Sequence, residues 1–308
     1  MNQVQTPMID AGGSAAGTKA AAPLKVKAPH PIVDSARMFC RNYSAICGVI
    51  FLALILLIAF LGPVLCDADP FSIVSAPLTP PTLEEGLWMG TDYLGRDVLV
   101  GILYGGRATL AVGATAALLS IFIGISLGAY AGYYGGMIDE VLMRVTEFFQ
   151  VLPALLFAMV FVTLFSPTLT TIALAIGAVS WPGVARLTRG EFLKLKQMEF
   201  VTAERAIGSK NQRIIWCVIL PNALAPLIVS ATMSVGVAIL FSAGLDFLGL
   251  GDPNSMSWGL MIGASRDHIL EAWWPVTFPG VAIFVTVLSV SLIGDGLNDA
   301  LNPKLRER

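Results

Sequence analysis

Four charged side chains, Glu204, Arg205, Lys210 and Arg213, fall within residues 203–224, AERAIGSKNQRIIWCVILPNAL, of a 308-residue chain that elsewhere runs for tens of residues without a charge. Nucleotide binding is the first chemistry to test, because Gly208, Ser209 and Lys210 spell the end of a phosphate loop. Such a loop needs another glycine five positions before Gly208, and a strand leading into it, so that backbone N–H groups can cradle phosphate. Ala203 holds that place and the stretch reads as helical, so no nucleotide motif is present. The two histidines, His30 and His268, stand alone, and Cys40, Cys47, Cys66 and Cys217 form no CxxC pair. They are expected to be small buried residues rather than metal ligands or disulfides. Neither HExxH nor EF-hand spacing occurs. Ion-coupled transport places acids or bases inside membrane spans. The two candidates, Asp246 and Asp295, each close an apolar run, where a boundary residue is the simpler reading.

The elements that carry these residues follow from composition. Apolar residues make up 56% of the chain and charged ones 13%, against roughly 25% charged in a soluble domain. The chain is therefore expected to be an all-α polytopic membrane protein. Its charge-free runs enclose 25 residues between Arg41 and Asp67, 31 between Arg107 and Asp139, 38 between Glu147 and Arg186, 32 between Arg213 and Asp246, and 23 between Glu271 and Asp295. One crossing takes roughly 20 residues. As a single helix the longest run would reach about 57 Å, nearly twice the hydrocarbon thickness. It should turn at Ser166–Pro167, which gives six transmembrane helices.

Charge asymmetry orients them. With both termini in the cytoplasm, 16 of the 19 Lys and Arg residues lie inside, and only Arg96, Arg107 and Arg266 lie outside. Residues 1–40, rich in Ala, Gly and Pro, read as a disordered cytoplasmic tail, and residues 41–308 as the six-span domain. The first apolar run starts too late for a signal peptide and is expected to be retained as the first span. The polar segment then belongs to a cytoplasmic loop of about residues 186–221, between spans four and five.

Within that loop, GEFLKLKQMEFVTAERAIG is a good helix former that should end at Gly208, the residue type that accepts a left-handed C-terminal position. Ser209 is placed to cap a second short helix, KNQRIIWCVIL, ending before Pro221. Phe200, Val201, Ile207, Ile214 and Ile215 would give this helix pair apolar faces. Such a knob suits docking into a groove on another protein; the alternative is a solvated loop that only sets topology.

EFVTAERAIGSKNQRIIWCVILPNAL resembles the EAA-loop signature of ABC importer permeases, approximately E-A-A-x-x-x-G, nine residues, then I-x-L-P. Thr202, Ala203 and Glu204 stand at the triad, Gly208 at the glycine, and Val218, Leu220 and Pro221 at the end. Two triad positions depart, Thr202 for Glu and Glu204 for the second Ala. GTDYLGRDVLVGILYGGRATL, YYGGMIDEVLMRVTEFFQVLP, DFLGLGDPNSMSWGLMI and LIGDGLNDALNPKLR are similar to stretches of dipeptide, oligopeptide and nickel importer permeases of the C type. The likeness covers about residues 40–308. It implies the type I ABC importer permease fold in a bacterial inner membrane, with Thr202, Ala203, Glu204, Arg205, Gly208, Leu220 and Pro221 coupling to ATPases. It further implies a second homologous permease, two ATPase subunits that hold ATP and Mg²⁺, and an extracytoplasmic solute-binding protein. No cofactor on this chain and no nucleic-acid partner are expected, and membrane lipid surrounds it.

Three weaker patterns remain. Ser120, Gly124, Gly128, Gly132 and Gly136 recur every fourth residue and would allow close helix packing or line a moving gate. TDYLGRDVLVGIL has helical apolar spacing and should lie as an amphipathic helix at the outer interface. Its Asp92, Arg96 and Asp97, with the nearby Arg107, would contact a binding protein or pair within the subunit. Ser242 and Asp246 sit at the outer mouth; Asp246 would attract a cationic substrate or be a solvated boundary residue. An ion-coupled secondary transporter that needs no ATPase is the competing class of function.

Overall fold

The computed structural model describes residues 36–83 and 86–301. Most of the expected tail, His30 included, lies outside these residues; its described end, residues 36–39, is helical. Nine helices of eight or more residues follow among the described residues: α1 (Tyr43–Leu65), α2 (Val98–Tyr134), α3 (Gly136–Val151), α4 (Ala154–Phe165), α5 (Leu169–Leu195), α6 (Glu199–Ala206), α7 (Asn211–Leu250), α8 (Trp258–Ser265) and α9 (Trp274–Leu301). Five of them, α1, α2, α5, α7 and α9, are long and apolar enough to cross a membrane alone.

The sixth crossing is broken. α3 and α4 meet at 86°, and together they pass the same test of length and composition. Pro153 causes the break: it follows Leu152, which is driven to extended backbone (φ −68°, ψ 130°). α4 has 12 residues, about 18 Å of helix, so it cannot span the hydrocarbon by itself. α3 carries Asp139, Glu140, Arg144 and Glu147, while Met137, Val141, Val145 and Phe148 are exposed along another side. The turn expected at Ser166–Pro167 is present. Thr168 caps α5 by accepting from Thr171 N–H, and Ser166 itself takes φ 69°.

α2 is the central strut, and its most extensive neighbour is α5. The four-residue repeat of small side chains makes their approach possible. A Cβ on Gly124 would meet Val184 Cβ at 2.6 Å, one on Gly128 the Ala185 carbonyl oxygen at 2.3 Å, and one on Gly132 Phe192 Cβ at 2.6 Å. This stripe is helix packing, the first of its two sequence readings. Gly136 is not part of it, because an added Cβ there would meet nothing within 4 Å.

α2 also repairs α1. Pro63 has no N–H, so the Ala59 carbonyl loses its helical donor inside an apolar helix. Arg107 Nε donates to Ala59 O at 3.0 Å and Nη2 to Phe60 O at 2.7 Å, while Tyr104 Oη lies 3.3 Å from the carbonyls of Pro63 and Cys66. A charged residue three turns into a span thereby answers a backbone vacancy that lipid could not fill.

The cysteines correct an expectation. Cys40, Cys47 and Cys217 are exposed and Cys66 is intermediate. Two of the four, Cys47 and Cys217, lie on spanning helices, where an exposed face meets lipid or another subunit and stays apolar without being buried in its own chain.

Two predictions follow from this packing. Gly128→Ala should lower the thermal unfolding midpoint in detergent, since overpacking costs about 1–3 kcal/mol. Gly183→Ala on α5, where nothing lies within 4 Å of an added Cβ, should leave it unchanged or raise it. Arg107→Leu should destabilise by about 1–3 kcal/mol through the orphaned Ala59 carbonyl. In a Pro63→Ala background, which restores the helical N–H, the same change should cost clearly less. Additive costs in that double-mutant cycle would show that Arg107 acts elsewhere.

Candidate functional site

The polar segment is a turn between α6 and α7, and its geometry follows from Gly208. At φ +81° Gly208 lies in the left-handed region that favours glycine. Gly208 N–H donates to Arg205 O at 3.0 Å and Ser209 N–H to Glu204 O at 3.1 Å, so the last carbonyls of α6 are satisfied as the chain reverses. Ser209 does not cap the next helix as its type suggests. Its hydroxyl bonds the Glu204 carboxylate across the turn, and Lys210, in extended backbone, precedes α7 instead.

Two further expectations change here. The helix expected over residues 190–207 is interrupted: α5 ends at Leu195, residues 196–198 turn, and α6 begins at Glu199. Nor does the following helix stop at Pro221. It continues as α7 into the fifth span, with a wider π register at Ile214–Ile219 in which Leu220 N–H reaches Ile215 O. Pro221 cannot donate to Cys217 O, and the wider register accommodates that gap. Leu220 and Pro221 therefore lie in the entry to the span, apart from the turn formed by Thr202, Ala203, Glu204, Arg205 and Gly208.

The apolar residues of the segment divide between two faces. Val201, Ile214 and Ile215 are fully buried in a cluster with Ala129, Tyr133 and Phe192. Phe200 and Ile207 point outward, Ile207 at 77% exposure, beside exposed Thr202, Ala203, Arg205 and Gly208. Glu204 is half-buried through its bond to Ser209. The result is a tip with an apolar and cationic outer surface on a rigidly packed base.

At the opposite end of the bundle, residues 66–83 and 86–97 interlock with residues 251–274. Trp274 Nε1 donates to Thr91 O at 3.0 Å, Trp258 Nε1 to Ile102 O at 3.0 Å, and Tyr93 stacks on His268. The interfacial helix expected over TDYLGRDVLVGIL does not form. Asp92 accepts from Leu94 and Arg96 N–H, Asp97 from Leu99 N–H, and Gly95 holds φ +83° where a Cβ would strike Ser75 O at 2.2 Å. Both carboxylates thus shape backbone, and Val98 onward is the start of α2. Arg96 lies over the Phe71 ring, 5.1 Å from its centroid, and Arg107 is committed to α1. All four residues make contacts within the subunit.

Asp246 is not a solvated boundary residue. It is 4% exposed and Ser257 Oγ donates to it at 2.6 Å, pinning the loop before α8 against α7; Ser242, one turn earlier, is 2% exposed. α8 sits so close that a Cβ on Gly259 would meet Ala243 Cα and Asp246 Cβ at 2.7 Å. Both side chains are buried among the described residues.

Sequence reading missed the residues that hold the α6–α7 turn to the bundle. Lys196 Nζ reaches Gly132 O and Tyr133 O at 3.2 and 3.3 Å, Tyr133 Oη donates to Asn211 Oδ1 at 2.8 Å, and Arg189 pairs with Asp139 through two bonds, one of 2.6 Å. Each joins residues at least fifty positions apart. The only local signal was polar residues at helix ends, which does not name a partner.

With this geometry in view, comparison with known proteins places the chain. A family model described as binding-protein-dependent transport system inner membrane component matches residues 124–307, and one for the N-terminal TM domain of oligopeptide transport permease C matches residues 31–81. The di/tripeptide transport system permease protein DppC of Pseudomonas aeruginosa is 39% identical, over 90% of this chain and 94% of its own length. The dipeptide transport system permease protein DppC of Bacillus subtilis is 40% identical over 89% and 86%. The glutathione transport system permease protein GsiD of Pectobacterium atrosepticum is 35% identical over 88% and 90%. A solved structure of the MetNI methionine ABC transporter superimposes with a TM-score of 0.55 at 20% identity, over 66% of this chain and 96% of that one, and shares its fold. A family match over more than half the chain and relatives near 40% identity along most of it make this chain a member of the binding-protein-dependent inner membrane components, the permease subunits of ABC importers.

Proposed function

We propose that this chain is the C-type permease of a peptide importer, and that its α6–α7 turn is the coupling element on which a separate ATPase acts. The observation that carries the reading is the turn itself. Phe200 and Ile207 are exposed at the tip of an otherwise satisfied, packed structure, flanked by Arg205 and Lys210; one arm runs directly into α7 and the other, α6, joins α5 through the turn at residues 196–198. An apolar, cationic knob of this kind fits a groove on a soluble partner. A loop that served only to set topology would have no need to expose large apolar side chains.

In this reading ATP and Mg²⁺ are held by two ATPase subunits, and this chain performs no catalysis. A second homologous permease completes the passage, and an extracytoplasmic binding protein delivers the substrate. The distribution of Lys and Arg puts the turn and both termini in the cytoplasm. Residues 41–308 form the permease domain and residues 1–40 a cytoplasmic extension. Peptides are the favoured cargo because the similar permeases are named for dipeptides, tripeptides and glutathione. The ATPases switch the permease only if they hold the turn differently in their two nucleotide states.

The glycine gives the test. At φ +81° a β-branched residue is strained, by about 1–2 kcal/mol, whereas asparagine tolerates this region; an added Cβ meets nothing within 4 Å. Reconstituted with its partner permease, ATPases and binding protein, Gly208→Val should reduce peptide uptake and ATPase co-purification severalfold, with Gly208→Asn close to the unaltered chain. Neither change should alter the amount of protein in the membrane. If no ATPase associates with the unaltered chain, yet it moves solute down an ion gradient, it is a secondary transporter and the turn only sets topology.

A further inference from the structure

The two arms of the Gly208 turn close on one side chain. Tyr133, in the last turn of α2, is 6% exposed and buried in the cluster that includes Val201 of α6 and Ile214 of α7. Three residues before Gly208, the Arg205 guanidinium lies over the Tyr133 ring, 5.3 Å from its centroid. Three residues after it, Asn211 Oδ1 accepts the Tyr133 hydroxyl at 2.8 Å. From the other side Lys196 Nζ, just past the end of α5, caps the Gly132 and Tyr133 carbonyls. A cation over an aromatic face and a side-chain hydrogen bond both depend on geometry. A rotation of the turn cannot keep both unless α2 moves with it.

We infer that Tyr133 is the positioning residue through which displacement of the α6–α7 turn is passed to α2. α2 is suited to receive it: its 37 residues make about 55 Å of helix, reaching from the turn to the interlocked segments at the far end. There Trp258 and Met261 lie against its first two turns, at Gly105 and Gly101. Because the glycine stripe clamps α2 to α5, a push at Tyr133 moves the helix as a body rather than bending its end. Asn211, Arg205 and Lys196 are its three handles. Docking itself requires neither the Tyr133 hydroxyl nor Asn211 and Lys196, since the docking surface is the outward face of the turn, to which only Arg205 of the three also contributes.

This inference rests on the coupling reading above, and the experiment separates the two. The reconstituted transporter, with binding protein and a labelled dipeptide, is assayed for ATP hydrolysed, dipeptide imported and ATPase co-purified. Tyr133→Phe keeps the ring and removes only the hydroxyl. The dipeptide imported per ATP should fall roughly fivefold, the factor for one net hydrogen bond that favours the coupled arrangement, with ATPase co-purification unchanged. Asn211→Ala should do the same, and the double variant no more than either alone. Equal losses of hydrolysis and uptake, or an unchanged ratio, would make Tyr133 simple packing and overturn the inference while leaving the docking reading intact. Failure of ATPases to associate with the unaltered chain would overturn both.

Discussion

Along one face of α2, from Gly124 to Gly132, no side chain fits. Carbonyl oxygens and β-carbons of α5 occupy the space where Cβ atoms would stand, and most of the architecture depends on this approach. Lipid is as apolar as any core residue, so helices in a membrane gain little from burying leucine and much from close packing of backbones. Contact along the glycine stripe fixes α5 in register on α2. It brings Lys196 to the end of α2, and Arg189, near the end of α5, to Asp139 of α3. The turn that follows α5 is then delivered to Tyr133 with little freedom left. Position at the turn end of the bundle is therefore set by small residues that themselves do no chemistry.

A second constraint is that each backbone carbonyl in the bilayer needs a donor. Three prolines break that rule locally and the chain answers differently at each. At Pro63 a guanidinium from α2 fills the gap. At Pro221 the helix widens to a π register. At Pro153 it gives way altogether, and the chain turns by 86°. The first two preserve a span and tie it to its surroundings; the third leaves two shorter helices, α3 and α4, bent by 86° at the break. Arg107 and Pro221, which draw attention in the sequence as candidate contact residues, are in this light parts of the backbone's hydrogen-bond accounting.

This explains what was legible in the sequence. Charge-free runs reflect the one-dimensional requirement to cross hydrocarbon, so five spans and the Ser166–Pro167 turn could be read from residues alone. Gly208 was legible too, because a left-handed helix end depends on the residue that occupies it. The amphipathic reading of TDYLGRDVLVGIL failed because Asp92 and Asp97 bond backbone N–H groups and Gly95 must pass Ser75, details that apolar periodicity does not contain. Ser209 failed as a cap because Glu204, five residues back, competes for its hydroxyl. Asp246 looked like a boundary residue because its partner, Ser257, lies beyond a loop that the fifth span's pattern cannot place.

The two ends of the molecule differ in a way that bears on transport. At the far end, indole N–H groups of Trp258 and Trp274 lock to backbone carbonyls and Asp246 locks to Ser257, buried bonds whose partners would be costly to leave unpaired. At the turn, the links to α2 are an exposed arginine over a ring, a half-buried lysine at two carbonyls, and one hydroxyl–amide bond. Such contacts near water are individually cheap to exchange. A helix held firmly at one end and through replaceable contacts at the other pivots about the firm end. α2 is held in that way, and the glycine stripe clamps α5 to it, so on the proposed coupling reading force at the turn swings the Tyr133 end of the pair before it disturbs the interlocked segments. On that reading the first consequence of movement at the turn is a change at the turn end of the bundle. The far end follows only when the whole clamped pair, α2 with α5, turns together.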